Sequence, residues 1–414
     1  MKKILILGGN YSTVDVVQTA KQLGYYTIVA SNSEKGEAKD IADETLLVDL
    51  EDYESLVRYI KNNNVDGIMT GPSEFHTLNM IRLNKLTGLP SYVNEEQWNI
   101  CQNKDSFKKL CRKYNVPSVP EYDANDVSII PFPVIIKPVD GCSSKGITLC
   151  KSPDTFERDL NFAKEYSLTR TALVEKYIDS KGYGASARYI ASNGIIKLSL
   201  VGDRYICDTE HAMISSVAIF PSKWTGRYIE KINDNVIEMF KSIGINNGTF
   251  FMQALPENDF YFHEMGLRLS GGLSYKITEP INGINDLKMM IKYAMGEEFA
   301  SEEEIAAVDP YLHGKYAGIL SIPLAVGKIE HIEGLDDIRK RPEITSIVEY
   351  YYEGGVVEEK FIGTLLQLYA RFKFVTNTYD EIVSMINYIQ ETLKITSDKG
   401  ENMIYKYFDV NRLK

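Results

Sequence analysis

The sequence predicts a chain of mixed α/β and α+β class, organised as three units over residues 1–95, 96–310 and 311–414. Three observations carry this. Strand and helix patterns alternate through the first unit, as in a parallel sheet covered by helices. Short strands joined by tight turns fill the second, around a loop of small residues at 140–146. The third is β-rich and closes on a well-patterned helix at 379–393, with Ile382, Met385, Ile386 and Ile389 on one face.

The first unit opens with a buried strand at 3–7 and a tight turn at Gly8-Gly9-Asn10. A helix follows at 12–23, with Val14, Val17 and Ala20 facing the core and Gln18 and Lys21 facing water. Gly24 ends it, and strand 26–30 completes a βαβ start. A dinucleotide site would want a third glycine after Gly8-Gly9 and an acidic ribose ligand, where Ser31 and Asn32 stand. These absences argue against NAD. The alternation continues with strand 44–48, helix 53–62, strand 67–70 and a helix from Gly71-Pro72-Ser73 to Leu86.

Helices are expected at 95–101 and 104–114, the second opened by Asn103-Lys104-Asp105. A lysine at a helix start opposes the macrodipole unless an anion lies nearby; taken alone, Lys104 reads as a surface residue. Next comes Phe132-Pro133-Val134-Ile135-Ile136-Lys137-Pro138, a short β-branched strand, and then Asp140-Gly141-Cys142-Ser143-Ser144-Lys145-Gly146 before the β pattern resumes at 147–149. Small residues let backbone N–H groups approach phosphate oxygens, and Lys137 and Lys145 add positive charge. The stretch fits either a phosphate loop or a glycine-rich hairpin with solvated lysines. It is not a Walker A loop, since no Gly-Lys-Ser/Thr opens a helix here.

Further on, helix 154–165 precedes strand 172–178. Strands 186–191, 195–201 and 203–207 follow, with turns expected at Asn193-Gly194 and Gly202-Asp203. An amphipathic helix at 227–243 leads to strands 248–255 and 260–265, joined by the turn at 256–259, and then to Gly266-Leu267-Arg268-Leu269-Ser270-Gly271-Gly272. A helix at 286–295 ends the unit. Beyond it, 314–330, 344–357 and 369–375 are β-rich, and Tyr350, Tyr351 and Tyr352 are expected to pack along a strand.

The net charge of −11 disfavours nucleic acid or another polyanion as partner of the whole surface and leaves room for a local basic pocket. The five cysteines, Cys101, Cys111, Cys142, Cys150 and Cys207, form no CxxC pair and have no histidine at zinc spacing, which fits free thiols in a reducing compartment. The apolar run in MKKILILGGN is too short for a leader core or a membrane span. The expectation is a soluble cytoplasmic protein.

The order of these signals resembles the ATP-grasp superfamily, in its branch with biotin carboxylase, the carbamoyl-phosphate synthetase large subunit, glycinamide ribonucleotide synthetase and the L-amino-acid ligases. The likeness covers nearly the whole chain. It implies a pre-ATP-grasp domain over 1–95, an ATP-grasp domain over 96–310 with a mobile lid near 124–180, and a small C-terminal domain. By position, Lys104 and Lys137 match the lysines that hold the ATP phosphates. Gly141, Ser143, Ser144, Lys145 and Gly146 match the phosphate loop. Glu175, Lys176, Tyr177 and Ile178 match the adenine hinge. Glu264 matches a Mg²⁺ or Mn²⁺ ligand, with Gln253 where a first metal carboxylate is usual. Arg268 matches the arginine that steadies an acyl phosphate, and Ser270, Gly271 and Gly272 match the loop around the acceptor substrate.

The resemblance implies an ATP-dependent carboxylate–amine ligase acting through an acyl phosphate, with small-molecule substrates and a possible homodimer. Joining a carboxylate to the γ-phosphate brings two anions together, which calls for lysines, a divalent cation and a guanidinium. The chain departs from the pattern at Gln253, at Gly266 where asparagine is usual, and near 184–186, where a ribose carboxylate is missing. These departures motivate an alternative: a nucleotide-binding protein of this fold with weak or no ligase turnover. A bicarbonate-using carboxylase is a further alternative, for which the sequence offers no biotin-carrier-like segment.

Overall fold

A computed structural model of the chain describes residues 1–140, 146–207, 214–257 and 259–413. The N-terminal sheet is parallel, with strands β1 (Lys3–Leu7), β2 (Tyr26–Ser31), β3 (Glu44–Leu47) and β4 (Gly67–Thr70) in the order β3-β2-β1-β4. Strand β1 is apolar at consecutive positions because both its faces are covered. Ile4 and Ile6 join the core under the helix Val14–Gln22, while Leu5 and Leu7 join the core under the helices Tyr53–Asn62 and Glu74–Thr87. The helices Glu95–Gln102 and Lys104–Lys113 follow, both capped by asparagine: the Asn94 side chain accepts from Gln97 N and Asn103 from Ser106 N.

A second, antiparallel sheet holds β5 (Glu121–Tyr122), β6 (Val134–Pro138), β7 (Thr148–Cys150) and β8 (Ala172–Lys176), in the order β5-β8-β6-β7. Strand alternation gives it two unlike faces. Val134, Ile136, Cys150 and Val174 pack on Phe156, Leu160 and Ala163 of the helix Phe156–Glu165. Ile135, Lys137 and Glu175 face the other way, Ile135 directly opposite Glu175. Gly146 (φ +74) re-enters this sheet against Tyr166, whose Cβ a side chain there would meet at 2.6 Å. Both the left-handed backbone and the contact require glycine. The expected loop residues Gly141, Ser143, Ser144 and Lys145 lie outside the described residues.

The largest sheet has eight strands: β9 (Tyr183–Ser192), β10 (Ile195–Ile206), β11 (Ser215–Phe220), β12 (Gly248–Pro256), β13 (Phe260–Gly266), β14 (Tyr316–Pro323), β16 (Ile344–Glu349) and β18 (Leu368–Thr376), in the order β13-β12-β9-β10-β11-β14-β18-β16. It runs on past residue 310 through β14, β18 and β16. A small sheet of β15 (Gly327–Glu333), β17 (Val356–Val357) and β19 (Lys394–Ser397) lies beside it, under the helix Tyr379–Thr392. That helix begins with a capping box between Thr378 and Glu381 and buries Ile382, Met385, Ile386 and Ile389, as its spacing predicts.

Four expectations need correction. The turn expected at Gly202-Asp203 is absent: β10 runs unbroken through it, with a register shift between Leu198 and Leu200 instead. Tertiary partners override the local turn chemistry. A Cβ on Gly202 would meet the Phe220 ring at 2.2 Å, and the buried Asp203 carboxylate accepts from Ser222 Oγ at 2.6 Å and from Tyr183. The helix expected at 227–243 is split by a π-helical segment, Ile229–Asn233, between Thr225–Tyr228 and Asp234–Ser242. The helix Tyr275–Asn282, with Pro280 inside it, is one the sequence reading omits. The three tyrosines follow β16 instead of lying in it: Tyr350 packs edge-on against Tyr11 at 5.1 Å, Tyr351 joins the C-terminal core, and Tyr352 is exposed.

Candidate functional site

One face of the eight-stranded sheet forms the floor of a cleft, and its residues follow from register. On β9, Ala185, Ala187, Tyr189 and Ala191 point into the core, which sends Ser186 and Arg188 to the cleft. Directly paired residues share a face. Gln253 pairs with Ser186 and with Glu264; Arg204 pairs with Ala218, Ala218 with Ile319, Ile319 with Lys373, and Ser321 with Arg371. On β13 and just past it the core residues are Phe260, Phe262, Met265 and Leu267. The alternation skips between 262 and 265, where the ladder shifts register opposite Gln253 and Ala254. This bulge turns His263 and Glu264 away from the core together.

Above the floor, at the end nearest the second sheet, basic residues gather. Lys137 lies 2.7 Å from Glu175 Oε2, both buried. The other Glu175 oxygen contacts Lys108, a fully buried lysine that also lies 3.2 Å from Glu121 and donates to Val119 O at 2.8 Å. The carboxylate of Glu175, a residue matched above to the adenine hinge, holds two lysines in place. Burial pulls the Lys137 ammonium below its ordinary range; Glu175 opposes the shift, and Lys108 and Lys104 add to it. Lys104 enters through its backbone, which donates to Val139 O at 3.0 Å and ties the helix start to the end of β6. His263 senses the whole group. Its imidazole is pushed down to about 3 by burial and then by Lys137, Arg204, Lys108 and Lys104, and its Nδ1 has no hydrogen-bond partner. A field this positive around a neutral histidine suits an anion.

The hinge after β8 is fixed on both sides. Lys176 N donates to Pro120 O at 2.9 Å, Lys176 Nζ pairs with Glu257 at 2.7 Å, and the Ile178 carbonyl accepts from Ser180 N at 2.9 Å. Tyr177 lies between them. Ile178 is buried, so the strand end carries an apolar wall.

Glu264 faces Gln253, whose Nε2 lies 3.4 Å from Glu264 Oε1. The Gln253 carbonyl oxygen, expected to share a metal with Glu264, accepts from Arg204 instead. Among the described residues no three His, Cys, Asp or Glu side chains gather as a metal cage. This donor set fits Mg²⁺ in one mode: a single carboxylate, Glu264, with the remaining positions filled by a nucleotide's phosphates and water. Arg204 supplies a fixed positive charge where a second carboxylate would otherwise attract an ion.

Arg268 comes two residues after β13. Its Nη2 pairs with Glu74 at 3.0 Å, its Nη1 donates to Leu269 O at 3.1 Å, and its guanidinium lies 5.2 Å from the Phe251 ring centre. Glu74 begins the helix Glu74–Thr87, so the N-terminal unit orients this arginine. Arg268, Ser270, Gly271 and Gly272 line a cavity of about 600 Å³. Gln253, Arg268 and the 270–272 loop line this cavity, Glu264 pairs with Gln253 across the ladder, and Lys104, Lys137 and Glu175 gather near His263, which precedes Glu264 on β13. The sequence reading missed Lys108, Arg188, Arg204 and Arg371. Lys108 stood four residues from Lys104, one helical turn away, and that spacing was the available signal.

Residues 103–302 match the family described as "Carbamoyl-phosphate synthase L chain, ATP binding domain". Residues 103–302 thus carry an ATP-binding domain of the ATP-grasp type. Among its relatives, the 2-oxoglutarate carboxylase small subunit of Hydrogenobacter thermophilus is 23% identical over 393 residues, covering 86% of this chain and 76% of that protein. The formate-dependent phosphoribosylglycinamide formyltransferase of Sulfurisphaera tokodaii is 25% identical over 242 residues, 56% of this chain and 59% of that one. A likeness of fold to solved structures extends over nearly the whole chain. The L-amino acid ligase of Bacillus licheniformis superposes with a TM-score of 0.78 at 19% identity, covering 96% of this chain and 99% of that one. The biotin carboxylase domain dimer of H. thermophilus 2-oxoglutarate carboxylase, in complex with MgADP, ADP and bicarbonate, superposes with a TM-score of 0.77 at 20% identity, covering 97% and 91%. At these identities the likeness is one of fold. Among the described residues no helix is long and apolar enough to cross a membrane, and Cys101, Cys111, Cys150 and Cys207 are free and buried.

Proposed function

We propose that this ATP-grasp protein is an ATP-dependent carboxylate–amine ligase acting through an acyl phosphate. The observation that carries the reading is a run of charged side chains: Lys137, anchored by Glu175, with Lys104 on a neighbouring helix, then Glu264 on β13, then Arg268 two residues past that strand at the cavity. Lys104 and Lys137 bind the phosphates of ATP. Lys108 positions Glu175 and through it Lys137. The backbone of Lys176, Tyr177 and Ile178 reads adenine, with Ile178 as an apolar wall. The loop with Gly141, Ser143, Ser144, Lys145 and Gly146 closes over the phosphates and excludes water, which would otherwise hydrolyse the intermediate. Residues 124–180 move with it as a lid.

A substrate carboxylate oxygen attacks the γ-phosphorus, the bond to the ADP oxygen breaks, and an acyl phosphate forms. The amine nitrogen then attacks the acyl carbon, inorganic phosphate leaves, and the nitrogen gives up its proton. Arg268, held by Glu74, faces the developing negative charge with a planar fork. Glu264 would hold Mg²⁺ or Mn²⁺ together with the nucleotide, and that ion, when bound, neutralises phosphate charge. ADP release measured over pools of carboxylates and amines tests the reading: it predicts release that requires one member of each pool.

Arg204 on the Gln253 oxygen favours a second reading, nucleotide binding with weak or no turnover. ATP binding by calorimetry without ADP release from any pool selects it.

A further inference from the structure

The cavity beside Arg268 is more basic than one carboxylate needs. Four guanidiniums line it, those of Arg188, Arg204, Arg268 and Arg371, and no carboxylate lines it among the described residues. Arg268 is balanced by Glu74. The others have weaker compensation. Arg188 is more than nine-tenths buried, and its Nε and Nη1 have no hydrogen-bond partner. Its guanidinium rests 4.9 Å from the Phe220 ring centre, which orients it without satisfying its donors. Arg371 donates to the Gly271 carbonyl and lies over Tyr350. Next to it on the same strand, Lys373 is fully buried and its Nζ has no partner.

Guanidinium donors buried without acceptors are costly, and native proteins leave them so where a ligand completes them. Burial lowers the Arg188 guanidinium to about 10; Asp286 opposes this and Arg204 adds to it. Burial likewise lowers Arg204, with Glu264 opposing and Arg371 adding. Arg204 thus lies within electrostatic reach of both Arg188 and Arg371. Arg371 and Arg188 come from distant strands, β18 and β9, but both reach the 271–272 loop: Arg371 donates to the Gly271 carbonyl, and Arg188 Nη2 lies 3.0 Å from where a Cβ on Gly272 would stand. Arg268 is fixed separately, on Glu74, so the lining offers two cationic points, and a molecule with two anionic groups can meet both.

We propose that the cavity binds one small molecule bearing two anionic groups: a carboxylate beside Arg268, and a second carboxylate or phosphate held by Arg371 and Arg188. This rests on the ligase reading only for which end reacts. The positive lining itself does not depend on turnover. It narrows the acyl donor to dicarboxylates and phosphorylated carboxylates.

The test is calorimetric binding at constant ionic strength, without nucleotide, of butyrate, succinate, glutarate and 3-phosphoglycerate. At least one of the three dianions should bind about tenfold or more tightly than butyrate, as an added bidentate guanidinium contact implies. Arg371→Gln and Arg188→Gln should each reduce that preference, with melting curves reporting that the variants fold. The choice between succinate or glutarate and 3-phosphoglycerate identifies the second group. Equal affinity for all four anions, no binding of any, or a preference indifferent to both substitutions overturns the proposal. Binding of an ATP analogue is measured separately. Its failure would count against the ligase reading and leave the dianion preference standing. Its success beside an absent preference would do the reverse.

Discussion

Replacing Gln253 by glutamate restores a second acidic residue beside Glu264, and simple chemistry would expect a better metal site. The structure predicts otherwise. Arg204 already donates to the Gln253 carbonyl oxygen, so a carboxylate there gains a charge-assisted hydrogen bond and needs no metal. Removing Arg204 as well changes the outcome. The Gln253 amide lies 3.4 Å from Glu264 Oε1. Two carboxylates at that spacing repel by about 5 kcal/mol at an effective dielectric near 20. A divalent cation relieves the repulsion, so part of it becomes metal affinity. The expectation for Mn²⁺ binding without nucleotide, followed by calorimetry or paramagnetic resonance, is weak binding for the native protein and for Gln253→Glu. Gln253→Glu/Arg204→Met should bind at least about tenfold more tightly, well inside the several-fold powers of ten that the repulsion permits. If Gln253→Glu alone binds Mn²⁺ as tightly as the double variant, Arg204 does not guard the site and the reasoning fails.

Other expectations follow from the lysine cluster and the buried charges. Lys137→Ala should weaken ATP by about 1.5–3 kcal/mol in calorimetry, the range for hydrogen bonds to a charged group; unchanged affinity would remove Lys137 from the site. Glu175→Gln leaves Lys108 and Lys137 without their shared partner, and breaking such buried pairs costs about 3–5 kcal/mol. Hydrogen exchange should report it as faster opening of β6 and β8, with protection elsewhere retained. Lys373→Met should raise the melting temperature by about 2 °C or more at pH 7, because it removes a buried group with no partner. Burial holds the folded ammonium pKa well below its ordinary value, so the unfolded chain binds the extra proton. Native stability therefore rises as pH approaches about 10.4, and the advantage of Lys373→Met should shrink over that interval. An advantage that grows with pH would refute this sign.

Much of the fold was legible because it rests on periodicity. The β1 run, the capped helix at Tyr379–Thr392 and the pair β12–β13 follow from apolar spacing and turn residues. The misreadings share one cause: residues whose role depends on partners remote in sequence. Gly202-Asp203 reads locally as a turn, but Phe220, Ser222 and Tyr183 make it the middle of a strand. Lys137, Glu264 and Arg268 were singled out because each sits in a recognisable local pattern near a strand end. Arg188 was legible in principle, alternating with Ala187 and Tyr189 so as to leave the core. Arg204 was hidden by the supposed turn, and Arg371 lay in a strand assigned to the third unit, whose continuity with β10 through β11 and β14 only the sheet order reveals. Glu175 was singled out from its strand end, while its pairing with Lys108 and Lys137 depends on partners from a helix and a neighbouring strand.

The central claim is that a carboxylate is phosphorylated by ATP in this cleft. Hydroxylamine, a small and reactive amine, intercepts acyl phosphates as hydroxamates, so the protein incubated with ATP, Mg²⁺, hydroxylamine and a panel of mono- and dicarboxylates puts the claim directly to measurement. The account predicts hydroxamate formed in equal amount to ADP, dependent on the carboxylate and lost in Arg268→Lys. ADP released without hydroxamate, whatever carboxylate is present, would contradict it.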